Sequence, residues 1–272
     1  AARPPAACSP PRPRRRPTPT GGATVPDAQR TVLQLLGPST GGIRRHVAEL
    51  ARRLPAHGWS SPVAGPDGVL GPHGDLAYVV PVPGGPTPAL LAARRALRTA
   101  VADAGADVVH AHGLKAGWLA SLAGLDVPVV VTVHNLVLDE AAGRSGPALR
   151  ALEARLPGRS AATIAVSTAI ADRFAGVRGA ERVRVVRPVG PPPVPSRSAA
   201  EVRADLGVAP DAPLVVAVAR LHPQKDLPTL LRAAVTLRER VPDARVVVVG
   251  EGPDRAALTA LAGDLGVTGA VL

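Results

Sequence analysis

The sequence predicts an α/β protein built from two doubly wound parallel sheets, the second of them incomplete. Short runs of Val, Leu and Ala alternate with segments of helical periodicity from Thr31 onward, which is typical of strand–helix–strand units. Several of these runs are apolar throughout, as expected for parallel strands that are covered on both faces. A proline-rich break at residues 187–195 separates two such series, because it can form neither a helix nor a central strand.

Each expected strand is a short apolar run that ends at a polar or glycine-containing loop. In the first series, strands are expected at Thr31–Leu36, Ser61–Ala64, Leu76–Val80, Asp107–Ala111, Val127–Val133, Thr163–Val166 and Val183–Val186. In the second series they are expected at Leu214–Ala219, Arg245–Val249 and Ala270–Leu272. Helical periodicity of the apolar residues predicts helices at Ile43–Leu54, Pro88–Ala104, Lys115–Ala123, Pro147–Leu156, Leu227–Arg240 and Pro253–Leu265.

The domain boundaries follow from local composition. Residues 1–26 are rich in Pro and Arg and contain no acidic residue, so we expect a disordered tail. We expect an N-terminal domain at residues 27–188, a linker at 189–197 and a C-terminal domain at 198–272. The last segment is short for such a domain and stops where a strand begins, so we expect it to be truncated.

Composition excludes several classes of protein. A hydrophobic content of 46% is sufficient for a core, and a single cysteine excludes a disulfide framework. With two Trp, one Tyr and one Phe, RNA binding through stacked rings is not expected. The net charge of +11 comes from arginine, which a GC-rich genome also favours, so no nucleic-acid partner is expected. The longest uncharged run, residues 76–93, contains four prolines and could not span a membrane as a helix.

A glycine-containing loop follows the first expected strand and leads directly into a helix. It reads Gly37-Pro38-Ser39-Thr40-Gly41-Gly42. Glycine lets the backbone approach a ligand, and a helix N-terminus offers free N–H groups to an anion or hydroxyl. The spacing is not that of the Gly-x-Gly-x-x-Gly dinucleotide fingerprint. A ligand-binding loop and a plain tight turn both remain open.

Histidines mark the carboxyl ends of two neighbouring strands. Strand alternation places His110 and His112 on one side of the fourth strand, and His134 follows the fifth. Ligands of such sheets bind beyond the carboxyl ends of the strands, so His112 and His134 are candidate site residues, with a structural role as the alternative. No cysteine or carboxylate accompanies them at close spacing, so a zinc site is not expected.

The second series carries two cations and a second glycine turn at the equivalent edge. Arg220 and Lys225 follow the strand at 214–219, and Lys225 is one of two lysines in the chain. A guanidinium fork and an ammonium five residues apart suit a diphosphate, although both could also be solvated loop cations. Gly250 and Gly252 follow the next strand in the sequence Val249-Gly250-Glu251-Gly252-Pro253.

In this order, the motifs resemble those of retaining glycosyltransferases of the GT-B fold, the large family four that contains bacterial mannosyl- and glucosyltransferases. The resemblance extends over residues 30–272 and implies two Rossmann-like domains, of which the first binds the acceptor and the second the nucleotide-sugar donor. It implies that Arg220 and Lys225 hold the donor diphosphate, and that Gly41 and Gly42 meet the donor phosphate or the acceptor. It places His112 or His134 near the reacting sugar, in a cleft between the domains.

The resemblance also implies the reaction. A hexose would move from a nucleotide-diphosphate sugar to an acceptor hydroxyl with retention, and Gly250 and Gly252 would lie near the nucleotide. No Asp-x-Asp pair occurs in the chain, so neither a metal nor another cofactor is expected. The acceptor could be a sugar, a small molecule or a lipid. We expect a cytoplasmic protein, with peripheral contact to the inner face of the membrane possible through the basic pairs Arg44-Arg45, Arg52-Arg53 and Arg94-Arg95.

One departure from the family concerns activity. The paired-glutamate motif that contacts the donor in the family does not occur between residue 198 and residue 272. We therefore expect the 272-residue chain by itself to be inactive or nearly so. The alternative functions are a non-catalytic nucleotide or sugar-phosphate binding module and an NAD-dependent oxidoreductase.

Overall fold

The computed structural model describes residues 30–39, 41–85, 87–135, 146–188 and 195–271. The described residues divide into two compact units: residues 30–135 and 154–187 form the first, and the remainder, 146–153 and 188–271, belong to the second. The expected tail at 1–26 and most of the expected linker at 189–197 lie outside the described residues. The domain boundaries inferred from composition stay predictions.

Strands and helices alternate along most of the chain. The strands are β1 (Arg30–Leu36), β2 (Trp59–Ser60), β3 (Val63–Gly65), β4 (Tyr78–Val79), β5 (Val108–His112), β6 (Val129–Val133), β7 (Ala162–Ala165), β8 (Val183–Val185), β9 (Leu214–Val218) and β10 (Arg245–Val249). The helices are α1 (Gly42–Arg53), α2 (Ala89–Asp103), α3 (Leu114–Leu122), α4 (Gly146–Glu153), α5 (Thr168–Asp172), α6 (Ala199–Asp205), α7 (Leu227–Arg240) and α8 (Arg255–Asp264). Single turns of 3₁₀ helix lie between them, including Pro223–Lys225.

The first unit contains a parallel sheet in the order β4-β3-β1-β5-β6-β7-β8, with β2 pairing β1. The pairs along this path are all parallel. The chain leaves β1 toward β3 and β4 and then returns to β5 on the other side of β1. The strand order therefore reverses between β1 and β5, and this switch point is where α/β sheets bind ligands.

Burial explains why β1 is central. Its residues from Thr31 to Leu36 are all buried, because neighbouring strands and helices cover the strand on every side. Leu36 belongs to a core cluster with Val47 of α1 and Val63 of β3, which fixes α1 against the sheet immediately after the Gly37–Gly42 loop. Burial of such side chains contributes ~1.5–3 kcal/mol each. The same packing sets the position of the α1 N-terminus at the switch point.

The second unit contains the parallel pair β9–β10, helices α6, α7 and α8, and the residues of α4. Leu231 of α7, Ala262 of α8 and Val267 form its buried cluster. In place of the expected strand at 270–272, the described residues show a single parallel bridge from Val271 to Val246.

The α/β class and the parallel doubly wound sheet are confirmed, and the differences are local. The strand expected at Ser61–Ala64 is displaced to Val63–Gly65, between Pro62 and Pro66, and that at Leu76–Val80, which Pro81 follows, is shortened to two residues. Helices α5 and α6 were not expected because they are short. A capping box begins α6: Ser198 Oγ accepts a hydrogen bond from the Glu201 backbone N–H, and the Ser198 N–H donates to the Glu201 carboxylate.

Candidate functional site

Two helix N-termini lie at the carboxyl edge of β1 and β5, at the switch point of the first unit. Helix α1 begins after Gly41 (φ 71°) and α3 after Gly113 (φ 84°), backbone angles that favour glycine. A Cβ atom placed on Gly37 would lie 3.8 Å from the Ala116 backbone nitrogen, so the β1–α1 loop runs beside the first turn of α3. The predicted loop of Gly41 and Gly42 is thus at the ligand edge; its Thr40 lies outside the described residues.

These N-termini suit an anionic group. Among the described residues no side chain caps either helix, and neither helix has an acidic residue in its first turn, so the N–H groups there keep their partial positive charge for a ligand. Lys115 lies in the first turn of α3, with its Nζ 3.6 Å from the position a Cβ of Gly84 would take. Lys115 is not among the predicted site residues. That it is one of only two lysines in the chain is the sequence feature that could have identified it.

A chain of four hydrogen-bonded side chains begins at this edge and runs into the sheet. His134 Nε2 lies 3.1 Å from His112 Nδ1, and His112 Nε2 lies 2.8 Å from Gln34 Oε1. The Gln34 amide nitrogen donates to Ser61 Oγ at 3.1 Å. The structure therefore brings together the two predicted histidines and adds Gln34 and Ser61, which the sequence analysis did not single out.

Two further histidines border this chain. His110 lies on the same face of β5, with its ring centroid 4.2 Å from that of His112, and its Nε2 is 2.7 Å from Thr132 Oγ1. The His46 ring of α1 packs edge-on against His134 with centroids 5.5 Å apart. In the part of the chain that the structure describes, no three His, Cys, Asp or Glu side chains are grouped so that they could hold a metal ion.

Burial keeps the cluster neutral at physiological pH. Desolvation, with the neighbouring histidines adding repulsion, lowers the pKa of His110 and of His134 to about 4 each. The same causes hold the pKa of His112 well below the ordinary value, and burial lowers that of His46. Neutral imidazoles can both donate and accept hydrogen bonds, so the cluster presents dipoles rather than charge to a ligand.

We expect the free energy of unfolding to fall as the pH is lowered from 7 toward 4. The pKa values of His110 and His134 rise from about 4 to 6.5 on unfolding, and that of His112 rises as well. Between pH 4 and 6.5 the unfolded chain then holds up to about two more protons than the folded one at His110 and His134, a slope of up to ~3 kcal/mol per pH unit, and His112 acts in the same direction. The stability that the neutral histidines provide is fully present above pH ~6.5 and is lost progressively as the pH falls from ~6.5 to ~4. Urea unfolding followed by Trp fluorescence between pH 4 and 8 measures the slope; equal stability at pH 7 and pH 5 would contradict it.

In the second unit, the predicted cations lie on one loop at the carboxyl edge of β9. Arg220 and Lys225 are both exposed, and the Lys225 backbone is held in a 3₁₀ turn by a hydrogen bond from its N–H to the His222 carbonyl at 2.9 Å. Asp226 follows with φ 46°, the left-handed region, and leads into α7. The loop geometry thus fixes Lys225 immediately before the helix.

Gly250 and Gly252 let two loop backbones run against each other. Hydrogen bonds join Ala219 N–H to the Val249 carbonyl at 3.0 Å and Leu221 N–H to the Glu251 carbonyl at 2.9 Å. A Cβ on Gly250 would overlap the Ala219 carbonyl oxygen, and one on Gly252 the Leu221 carbonyl oxygen. This close approach places Arg220 beside the Gly250–Gly252 turn. A cavity of about 360 Å³ opens next to Gly250, between α7 and α8.

The basic pairs on α1 and α2 are partly engaged within the first unit. Arg52 and Arg53 both pair with Glu49, and Arg98 donates from Nε to the Ala123 carbonyl at 2.6 Å. Arg45 and Arg95 are exposed. No helix among the described residues is both long and apolar enough to cross a membrane.

The fold is that of the GT-B glycosyltransferases. HepE of Anabaena, solved in complex with UDP, superposes with a TM-score of 0.68 at 20% identity, over 89% of this chain and 68% of that one. Sucrose-phosphate synthase of Thermosynechococcus elongatus gives a TM-score of 0.67 at 20% identity, over 89% and 70%. At this level of identity the similarities establish the fold.

Comparison with family profiles is more specific. The glycosyl transferase 4-like domain matches residues 41–190, and glycosyl transferases group 1 matches residues 198–272. The first match alone covers more than half of the chain, so the chain belongs to the glycosyl transferase 4-like family.

Curated relatives match part of the chain. A GDP-mannose-dependent phosphatidylinositol monomannoside mannosyltransferase of Mycolicibacterium smegmatis is 34% identical over 59% of this chain and 36% of its own length. A D-inositol 3-phosphate glycosyltransferase of Actinosynnema mirum is 33% identical over 61% of this chain and 44% of its own. The matches thus span less than half the length of these relatives.

Proposed function

We propose that the protein is a retaining glycosyltransferase that moves a hexose from a nucleotide-diphosphate sugar to an acceptor hydroxyl without a metal ion. The observation that carries the proposal is the loop of Arg220 and Lys225, two exposed cations at the carboxyl edge of a parallel strand pair, of which Arg220 lies beside the Gly250–Gly252 turn. Ligands of parallel α/β sheets bind at this edge. The matched families in both units support the same function.

The chemistry requires the charges that the loop provides. As the bond from the anomeric carbon to the diphosphate oxygen breaks, its electron pair goes to the diphosphate, and positive charge develops on the sugar. Arg220 can grip two phosphate oxygens with its fork, and Lys225 adds a point charge. Fixed cations of this kind stabilise the leaving group without reorganisation at the moment of reaction.

The first unit would supply the acceptor site. The N-termini of α1 and α3 with Lys115 favour an acceptor that carries phosphate, and the curated relatives are named for phosphatidylinositol monomannoside and D-inositol 3-phosphate. We therefore place a phosphorylated polyol, of the inositol phosphate class, at this edge. The neutral imidazole of His134 would contact the reacting sugar, and peripheral membrane contact through Arg45 and Arg95 would serve a lipid-linked acceptor.

A transfer assay tests the function. The full-length protein is incubated with UDP- or GDP-hexose and with either inositol 3-phosphate or unphosphorylated inositol, in the presence of EDTA. The product is analysed by ¹H NMR. We expect product from the phosphorylated acceptor, EDTA resistance, and an anomeric coupling that matches the donor. Hydride transfer to NAD, or nucleotide binding without product from the full-length protein, would favour the oxidoreductase or the binding module. The slow or absent turnover expected of the 272-residue chain alone is read in the same assay.

A further inference from the structure

Gln34 is a polar side chain among the buried leucines of β1. It is 0% exposed, as are its neighbours Leu33 and Leu35. Burying an amide is unfavourable unless its hydrogen bonds are made, and the Gln34 amide makes one at each end, to Ser61 and to His112. An apolar residue would satisfy the packing of β1 equally well, so the amide points to a role in orienting its partners.

The two ends of the amide fix the direction of the hydrogen bonds. Because the Gln34 nitrogen donates to Ser61, its carbonyl oxygen faces His112 Nε2, which must therefore carry the proton. A neutral His112 then has a bare Nδ1, and His134 Nε2 must donate to it. The proton of His134 is thus on Nε2, and its Nδ1 carries a lone pair to which none of the described residues donates a hydrogen bond.

We infer that Gln34 is a positioning residue that fixes the tautomer of His112 and, through it, that of His134. An amide does this without the negative charge that a carboxylate would bring beside the imidazole, so both rings stay neutral. His134, which is half-buried while His112 is 3% exposed, then offers Nδ1 as an acceptor for a sugar hydroxyl. The part of the inference that concerns catalysis rests on the proposed function.

The test reads the tautomers directly. Long-range ¹H–¹⁵N NMR of the ¹⁵N-histidine-labelled chain at pH 7 distinguishes protonated from bare ring nitrogens. We expect His112 and His134 both to be protonated on Nε2 alone. In Gln34→Met, which keeps the volume and removes the acceptor, we expect the Nδ1–H form of His112 to become populated. Thr132→Val removes the hydroxyl beside His110 and should leave both tautomers unchanged.

The outcomes separate this inference from the proposed function. The inference is overturned if His112 is protonated on Nδ1 in the unmodified chain, a result that needs no variant and so does not depend on how well a variant folds. It is also overturned if Gln34→Met leaves the tautomers unaffected. In the active enzyme, Gln34→Met should lower kcat about tenfold to hundredfold with little change in donor KM. Tautomers as expected but no sugar transfer by the unmodified full-length protein would leave the tautomer assignment intact and refute the proposed function.

Discussion

Replacing Lys225 with Gln is expected to weaken the binding of UDP or GDP to the chain by about tenfold to hundredfold, because a charge-assisted hydrogen bond to phosphate contributes ~1.5–3 kcal/mol. In the active enzyme, the loss in kcat should reach a factor of about 10²–10³, since charge on the departing diphosphate is greatest in the transition state. Isothermal titration calorimetry and initial rates measure the two effects.

A matched control separates local from general electrostatics. Arg240→Gln removes an equal charge from the other end of α7, the helix that follows Lys225. Fourteen residues of helix put that end about 20 Å away, so the affinity should change less than twofold at physiological salt. Equal losses in Lys225→Gln and Arg240→Gln would contradict a specific role for Lys225. Arg220→Lys should bind more weakly than the unmodified chain although the charge is kept, because the ammonium lacks the fork.

Gly252→Ala is expected to destabilise the second unit by about 3 kcal/mol or more. The added methyl would overlap the Leu221 carbonyl oxygen and lie 2.7 Å from its carbon, so the 219–221 backbone would have to move away from the 249–251 segment. Gly250→Ala should behave similarly, because its Cβ would overlap the Ala219 carbonyl oxygen. Both substitutions would also displace Arg220 and so weaken nucleotide binding.

Gly263→Ala is the control for the glycine substitutions. Gly263 lies in α8, and apart from its chain neighbours and the nearby helix backbone no atom of a described residue lies within 4 Å of the position its Cβ would take. Alanine there should stabilise the helix by ~0.5–1 kcal/mol, which is the opposite sign. Hydrogen exchange of the β9 and β10 amides is the suitable measurement, because Trp59 and Trp118 both lie in the first unit. Faster exchange in Gly263→Ala than in Gly252→Ala would contradict the prediction.

The sequence predicts the long elements because their signal is local. Helix α7 and strand β10 have the expected bounds, since hydrophobic periodicity and flanking glycine or proline define them without reference to the rest of the fold. Helices α5 and α6 have five and seven residues, too few for a periodic pattern. The capping box of Ser198 and Glu201 was the available signal for α6.

The candidate site could be predicted where residues are close in sequence and not where they meet across strands. His112 and His134 follow from their positions at strand ends, and their contact depends on β5 pairing with β6. Gln34 and Ser61 lie 78 and 51 positions from His112 in the sequence. Their hydrogen bonds to one another and to His112 therefore depend on the strand order β3-β1-β5. A glutamine between the leucines of an expected central strand is a feature that could have identified this position.

The central claim is that Lys225 meets the diphosphate of a sugar nucleotide, and the two lysines of the chain allow a direct test. Labelling lysine with ¹³C at Cε gives two ¹H–¹³C signals, which Lys115→Arg and Lys225→Arg variants assign. Titration with UDP- or GDP-hexose should shift the Lys225 signal saturably, whereas uridine or guanosine, which lack phosphate, should leave it in place. A Lys225 signal that stays unchanged at donor concentrations at which calorimetry shows the donor to be bound would contradict the account.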